Sequence, residues 1–505
     1  MNDNTHTLRI KRMGIDTYQE AVVYMLSGCH VCSSEGFRAQ SRVRIRVNKK
    51  SIIATLNILN NSSFLSPDEA GLSESAWNLL EAEEGEIAQL SHPDPVDSMN
   101  YVRSKVYGER LPRSEFYEII DDIVKGKYTD IHLSSFITAC ANDSLNIEEI
   151  EFLTEAMIDA GDKLQWHTSP VVDKHCVGGL PGNRTTPIVV SIVTSCGLTM
   201  PKTSSRSITS PAGTADMMET ITPVELGLND IRRVVEKECG CIVWGGSVNL
   251  SPADDILIRV ERALDLDSEG QLIASVLSKK KAAGSTHVIL DIPVGPTAKV
   301  SSESMAHKII YGLEEVGRRL GLHVKTVVTD GTQPVGRGIG PALEARDVLS
   351  VLSGEKDYPR DLRERSVELA AKLLEMSGYV KDGEGRGKAL EIIDSGKAYN
   401  KLIAICEAQG GFREPGNSVY QHTIESDTKG TVISIDNHML AKVAKLAGAP
   451  SNKTAGIVLH VKKGDQLEKG QPMITIHSEA SGTLEYALEY VKKHKGIFKL
   501  QLDEW

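Results

Sequence analysis

The sequence predicts an α/β protein: a helical domain and a large α/β domain with a mixed, mainly parallel sheet, flanked by a β-rich N-terminal module and a C-terminal α+β module. Three observations carry this. Residues 170–345 alternate short apolar runs (THVILDIPVG, LHVKTVVTD) with amphipathic stretches such as SESMAHKIIYGLEEVGRRLG, the pattern of successive βαβ units. SRVRIRVNKKSIIATLNIL alternates basic or polar with branched apolar residues, the period-two signature of strands. From about 98 to 168 the apolar period becomes helical.

Taken in order, residues 1–90 form the β-rich module. SHPDPVDS (91–98) is a linker, because its prolines interrupt both helix and sheet. In NIEEIEFLTEAMIDAG apolar residues recur at 147, 150, 153 and 157. Asn146 with Glu149 makes a capping pair there, and Gly161 supplies the stop. The stretch 425–505 returns to strands. Its GIVLHVKKGDQLEKGQPMITIHSE resembles half of a lipoyl- or biotin-carrier barrel, but it lacks the Met-Lys-Met turn that would present an attachment lysine. A structural cap is therefore expected.

Composition narrows the function. The chain has 505 residues, enough for several domains, with 40% hydrophobic and 25% charged residues, as in ordinary globular proteins. A net charge of −11 argues against a nucleic-acid or anionic-membrane partner. No apolar run reaches membrane-spanning length, and MNDNTHTLRIKR has no apolar signal core, so a cytoplasmic protein is expected. The eight cysteines include a C-x-x-C at Cys29/Cys32 and a C-x-C at Cys239/Cys241. Neither has the second ligand pair of a zinc site, so reduced cysteines and no metal are expected.

Two segments carry chemistry. VVDKHCVGGLPGNRTTP (171–187) places its glycines between a strand ending at Val171–Val172 and a helix, with Thr186 as N-cap and Pro187 as first helical residue. Backbone N–H groups of such a turn converge on one point, and the helix N-terminus adds positive potential. Lys174 precedes the glycines, so this is not a Walker A loop. Together with His175 and Arg184 it points to an anion. MPKTSSRSITSPAGTADMME (200–219) repeats the plan with a hydroxyl-rich loop and Thr214 as N-cap. Two such loops at neighbouring ends of one parallel sheet meet in the crevice where these sheets bind ligands.

SSRSITSPAGTADMME resembles the signature of the thymidine/pyrimidine-nucleoside phosphorylase family, and DKHCVGG resembles its D-K-H-S-x-G-G. NLSPADD (249–255), ASVLSKKKAAG (274–284) and VTDGTQPVG (328–336) are similar to further blocks in the family's order. The resemblance covers about residues 100–500. With the added N-terminal module, it is closest to the type 2 branch, which includes the archaeal AMP phosphorylases. It implies a class II-like nucleoside phosphorylase fold: a helical domain of 98–168 with 253–283, and a phosphate-binding α/β domain of 170–252 with 284–415. It also implies closure of those two domains during catalysis.

The implied reaction is reversible phosphorolysis of an N-glycosidic bond, with inorganic phosphate as co-substrate, no cofactor, and a homodimer or higher homo-oligomer. By motif, Lys174, Thr186 and Thr214 hold the phosphate, and Gly179 allows close backbone approach. Asp267, His175 and Lys279 are candidates for protonating the leaving base; the branch's D-x-x-G-Q segment points to Asp267. Ser275 lies two helical turns beyond it. Ser275 and Lys279 match base-reading residues, and Lys299 in VGPTAKV matches a ligand-binding lysine.

The chain departs from the thymidine enzymes in three places. Cys176 replaces a phosphate-binding serine, and a thiol hydrogen-bonds more weakly than a hydroxyl. Val260 stands where a base-reading arginine belongs, flanked by Arg259 and Arg262. A glycine- and histidine-containing loop has become Ser205, Arg206, Ser207, Ile208, Thr209 and Ser210. That loop raises the alternative of a second phosphate, which a nucleoside 5′-monophosphate would bring. Remoter alternatives are an anthranilate phosphoribosyltransferase-like enzyme and a non-catalytic carrier or assembly protein.

Overall fold

The computed structural model describes residues 6–501 except 19, 62, 208, 209, 265 and 267. It divides into two compact units: residues up to 144 with Ile256–Leu266, and Leu145–Asp255 with the chain from 267 onward.

In the first unit a six-stranded closed barrel runs β1-β5-β2-β4-β3-β6. Its elements are β1 (Thr7–Arg12), β2 (Val22–Leu26), α1 (His30–Glu35), β3 (Arg42–Val47), β4 (Lys50–Leu59), β5 (Glu69–Leu72), α2 (Glu74–Leu80) and β6 (Ile87–Ser91). The alternation expected from RVRIRV is realised: Val43, Ile45 and Val47 are buried while the arginines between them point outward. Cys29 and Cys32 sit in the barrel's core. The Cys29 thiol caps α1 by accepting the Cys32 N–H at 3.1 Å. Helices α3 (Met99–Val106), α4 (Arg113–Val124) and α5 (Asp130–Ala139) follow.

The second unit opens with α6 (Ile147–Asp159), whose Asn146/Glu149 capping box is present as read from the sequence. It continues through β7 (Val172–Cys176), α7 (Thr185–Ser195), β8 (Met200–Ser204), α8 (Thr214–Met218), α9 (Leu228–Glu238) and β9 (Gly240–Trp244). After α10 (Pro252–Leu264), which is shared with the first unit's segment, come α11 (Glu269–Ala282), β10 (His287–Val294), α12 (Glu303–Arg319) and β11 (His323–Asp330). Strands β11-β10-β7 form one parallel sheet and β8-β9 another. A parallel Val171–Thr199 bridge links them. The order β11-β10-β7-β8-β9 reverses direction beside β7, which makes the carboxyl ends of β7 and β10 the switch point where such sheets bind ligands. Helix α7 is buried on every face within this unit's core, which explains its largely apolar IVVSIV run.

The chain then passes through β12 (Gly338–Ile339), α13 (Pro341–Ser353), α14 (Arg360–Met376), α15 (Gly385–Asp394) and α16 (Lys397–Gln409). The last module has β13 (Tyr420–Glu425), β14 (Gly430–Ile435), α17 (Asn437–Leu446), β15 (Gly456–Leu459), β16 (Gln466–Leu467), β17 (Pro472–Ser478), α18 (Ser481–Lys493) and β18 (Phe498–Gln501). Its sheets are β12-β15-β17-β13 and β16-β14-β18. Among the described residues no helix is long and apolar enough to cross a membrane.

Candidate active site

Strand β7 does not end at Val172, as the sequence suggested. It starts there and runs to Cys176, so Lys174 and His175 are strand residues held by pairing with β10. Asp173 and Lys174 are fully buried, an unusual place for charges unless they are paired. Asp173 lies between two buried lysines: Lys202 of β8 at 3.2 Å and Lys280 of α11 at 2.8 Å. The Lys174 ammonium donates to the Thr185 hydroxyl at 2.7 Å and lies 3.8 Å from buried Asp291 of β10. Asp291 in turn accepts from the Thr329 hydroxyl (2.6 Å) and the Asn183 amide (3.2 Å). The inner charges fall into two groups: Lys202 and Lys280 share Asp173, and Lys174 faces Asp291. Burial holds the Lys202 pKa well below the ordinary lysine value, with Asp173 opposing.

His175 feels this field. Burial, then Lys280, Lys202, Lys279 and Lys174, hold its pKa well below the ordinary histidine value. It is a neutral imidazole at physiological pH, suited to donating one N–H but not to acting as a cationic acid.

The loop beyond β7 turns back through left-handed backbone at Gly178, Gly179, Gly182 and Asn183. At two positions glycine is required by space as well as by φ. A Cβ on Gly179 would fall 2.4 Å from the Lys299 backbone nitrogen, and one on Gly182 would fall 2.0 Å from the Val335 carbonyl oxygen. The close approach expected of Gly179 is thus made to the segment carrying Lys299. Helix α7 starts at Thr185, with Arg184 as N-cap and no side-chain cap. This corrects the sequence reading of Thr186 as N-cap. Thr186 is the second residue of the first turn, and Pro187 fits a residue further in because early helical N–H groups have no intrahelical partner to lose.

Cys176 ends β7 as a protonated thiol. Burial, then Asp291, push its pKa up to about 12, and its sulfur accepts from the Asn183 amide at 3.3 Å.

The second loop has the opposite electrostatics. Thr214 is the first residue of α8 and Gly213 its N-cap, which corrects the reading of Thr214 as cap. The Asp216 carboxylate reaches back to accept the N–H groups of Gly213 (2.9 Å) and Ser207 (2.6 Å), the reciprocal half of a capping box. Arg206 donates both terminal nitrogens to Glu219 at 2.8 Å, and one of them also to Glu225 at 2.7 Å. Its guanidinium lies over the Trp244 ring at 4.9 Å. Arg206 and Lys453 hold the Glu219 carboxyl down at about 2. The Ser207 hydroxyl donates to the Ser210 carbonyl and the Ser210 hydroxyl to the Ala212 carbonyl, while Ser205 is exposed. Ile208 and Thr209 lie outside the described residues. Arg184 ties the loops together, donating to Thr214 Oγ1 (2.8 Å), the Ala212 carbonyl (2.9 Å) and Glu344 (2.6 Å).

Of the remaining candidates, Asp267 lies outside the described residues. Ser275 and Lys279 are both on α11, and Lys279 pairs with Asp254. Val260 is buried, and neighbouring Arg259 is committed to Asp130 at 2.6 Å. Sequence reading missed Asp173, Lys202, Lys280, Asp291, Asn183 and Thr185. A signal existed for three of them: Asp173, Lys202 and Asp291 are charges inside short, otherwise apolar runs of a buried parallel sheet. Among the described residues no group of three or more His, Cys, Asp or Glu is placed to hold a metal ion.

A parallel α/β region with buried lysines and a glycine-rich loop at its strand ends, preceded in the chain by helices, is the architecture of a glycosyl transferase of the helical-plus-α/β class. Residues 168–399 match the glycosyl transferase family a/b domain, 99–161 the helical bundle domain of that family, and 431–497 the pyrimidine nucleoside phosphorylase C-terminal domain. Three similar proteins share the name "Putative thymidine phosphorylase", the last with the suffix 2. The one from Hahella chejuensis is 56% identical over 98% of both chains. The one from Legionella pneumophila strain Corby is 56% identical over 98% of this chain and 96% of its own. The one from Acidovorax sp. JS42 is 57% identical over the same shares. Anthranilate phosphoribosyltransferase from Thermus thermophilus shares the fold, with a TM-score of 0.51 at 20% identity, over 61% of this chain and 98% of that one. The chain belongs to the pyrimidine nucleoside phosphorylase family.

Proposed function

We propose that the chain catalyses reversible phosphorolysis of a nucleoside, of the thymidine type: thymidine and phosphate give thymine and 2-deoxyribose 1-phosphate. Buried Lys174 at the β7–β10 switch point, only loosely paired with Asp291 and followed by the glycine-rich loop, is the observation that carries this reading, because a phosphate there meets a fixed cation and turned backbone. Lys174, Thr186, Thr214 and the loop at Gly179 hold that phosphate beneath C1′. A phosphate oxygen bonds to C1′ as the C1′–N bond breaks, and the electron pair of that bond leaves with the base. Fixed donors aimed at the reacting groups lower the barrier by position and by electrostatics. Asp267 supplies the proton to the departing base. His175, kept neutral by burial and the lysines, donates a hydrogen bond, and Ser275 and Lys279 orient the base. Lys299 completes the ligand set.

The names of the relatives support a nucleoside substrate. So does Arg206: its charge is met by Glu219 and Glu225, which leaves the second loop without a surplus cation for a 5′-phosphate. The AMP reading is accordingly the second one, giving adenine and ribose 1,5-bisphosphate. We extend the proposal to a cytoplasmic homodimer or higher homo-oligomer with nucleoside and phosphate as its ligands. The four-part division at 1–90, 98–168 with 253–283, 170–252 with 284–415, and 425–505 belongs to the same proposal.

The test is purified protein with phosphate and thymidine, uridine, AMP, CMP or UMP, following release of free base. Thymine from thymidine, well above any base released from the nucleotides, is expected. Preferred turnover of AMP would replace the nucleoside reading with the nucleotide one, and no base from any substrate would end the proposal.

A further inference from the structure

We propose that Lys462 and Asn437, both in the C-terminal module, are positioning residues that hold the phosphate loop in register from behind. This rests on the assignment of residues 176–186 to phosphate.

The link is the segment 330–339. It leaves the carboxyl end of β11 and enters the C-terminal module as β12, which pairs antiparallel with β15. On one side it meets the phosphate loop. The Val335 carbonyl accepts the Asn183 N–H at 3.0 Å, the Val335 N–H donates to the Pro181 carbonyl at 3.3 Å, and Gly182 forms a parallel bridge with Val335. Asn183 also carries the amide that reaches Asp291 and Cys176. A shift of Val335 therefore moves the loop and the groups around Lys174 together.

On its other side the segment is gripped by the module. The Lys462 ammonium donates to the Pro334 carbonyl (2.8 Å), the Gly336 carbonyl (2.7 Å) and the Asp361 carboxylate (2.7 Å). Those are the carbonyls on either side of Val335, and the three acceptors match the three N–H bonds of an ammonium group. The Lys463 N–H donates to the Gln333 side chain at 2.8 Å. Asn437, fully buried at the start of α17, donates its amide to the Gly331 carbonyl and the Thr297 hydroxyl, both at 3.0 Å. Thr297 belongs to the turn carrying Lys299, whose backbone abuts Gly179. The module thus grips both segments against which the phosphate loop rests.

A carrier-like cap built only for stability would have no reason to direct its polar side chains at these two segments. Because misplacing a bound reactant by about 1 Å costs up to about 10²-fold in rate, the brace has a kinetic consequence that a merely structural contact lacks. Loss of Lys462 selectively weakens the use of phosphate.

The experiment measures initial rates of thymidine phosphorolysis by full-length Lys462→Met, Lys462→Arg, Asn437→Ser and Lys174→Met, varying phosphate and thymidine separately. Lys462→Met is expected to raise the phosphate KM about tenfold while the thymidine KM stays within about twofold, which is a partial form of the misplacement cost. Lys462→Arg restores most of the loss, and Asn437→Ser shifts phosphate KM in the same direction by less. An unchanged phosphate KM in folded Lys462→Met, or phosphate and thymidine KM rising together, overturns the proposal. Should Lys462→Met fail to fold, Asn437→Ser decides on the same criterion. Lys174→Met separates the two levels. If it raises phosphate KM and Lys462→Met does not, only the brace falls; if neither does, the phosphate-loop assignment falls with it.

Discussion

The two loops at the strand ends of the α/β region look alike in sequence and differ in charge. Both run from strand to hydroxyl- or glycine-rich turn to helix, and both contain basic residues. In the first, buried Lys174 stands 3.8 Å from Asp291, and no side chain caps the helix that follows. In the second, Asp216 occupies the start of the helix and Glu219 with Glu225 takes up Arg206. Glycines, hydroxyls and a helix start do not identify an anion site by themselves. How tightly each cation is already paired inside the protein does: 3.8 Å for Lys174 to Asp291, against 2.7–2.8 Å bonds from Arg206 to Glu219 and Glu225.

The largest effect should come from breaking that asymmetry at its centre. Lys174→Met should lower kcat/KM for phosphate by about 10²–10³-fold, the cost of removing one fixed donor from a developing charge. Arg206→Met in the same assay should stay within about threefold, with its cost appearing as a lower Tm because it breaks a partly buried network. A phosphate effect of similar size in both variants would erase the distinction.

Removing a buried lysine without touching the loop is the next sharpest test. Lys280→Met leaves Lys202 alone beside Asp173, and the phosphate KM should rise about tenfold, roughly the value of one partly screened charge pair. An unchanged KM would show that this lysine serves only Asp173.

Much of this arrangement was legible in the chain. The period-two runs of the barrel, the capping box of α6, the β-α alternation and Lys174 all follow from local pattern. Counted at the cap, the helix starts were read two residues late at α7 and one late at α8. No side chain caps α7, and at α8 Asp216 from the third helical position reaches back to the Gly213 N–H. The lysine–aspartate cluster was not legible, because Asp173, Lys202 and Lys280 come from three separated segments that only sheet order and helix packing bring together. The pairing of Arg206 is hidden in the sequence for the same reason. Its two carboxylate partners lie 13 and 19 residues away, at no helical or strand spacing that marks them.

Smaller effects refine the picture. Cys176→Ser should lower the phosphate KM by about two- to fivefold, in line with the modest net worth of one hydrogen bond, since a hydroxyl is the better partner. A higher KM would show that the thiol's bond with the Asn183 amide matters more than its chemistry. The pH dependence of stability offers a further check through Glu344, whose carboxyl is pushed up to about 7 by burial, with Arg184 opposing. A carboxyl raised in the folded state contributes stability that is present below its unfolded value of 4.5 and is lost as pH rises to about 7. Glu344→Gln should therefore flatten the fall of Tm between those pH values, and an unaltered slope would assign the titration to another group.

The central claim, that the first loop with Thr214 holds one phosphate and that Arg206 adds no second phosphate site, is tested most directly by calorimetric titration of inorganic phosphate into the wild-type chain, Lys174→Met and Arg206→Met. One phosphate per chain is expected in the wild type, retained in Arg206→Met and lost in Lys174→Met. Two phosphates per chain, or a site that disappears with Arg206 and survives without Lys174, would contradict it.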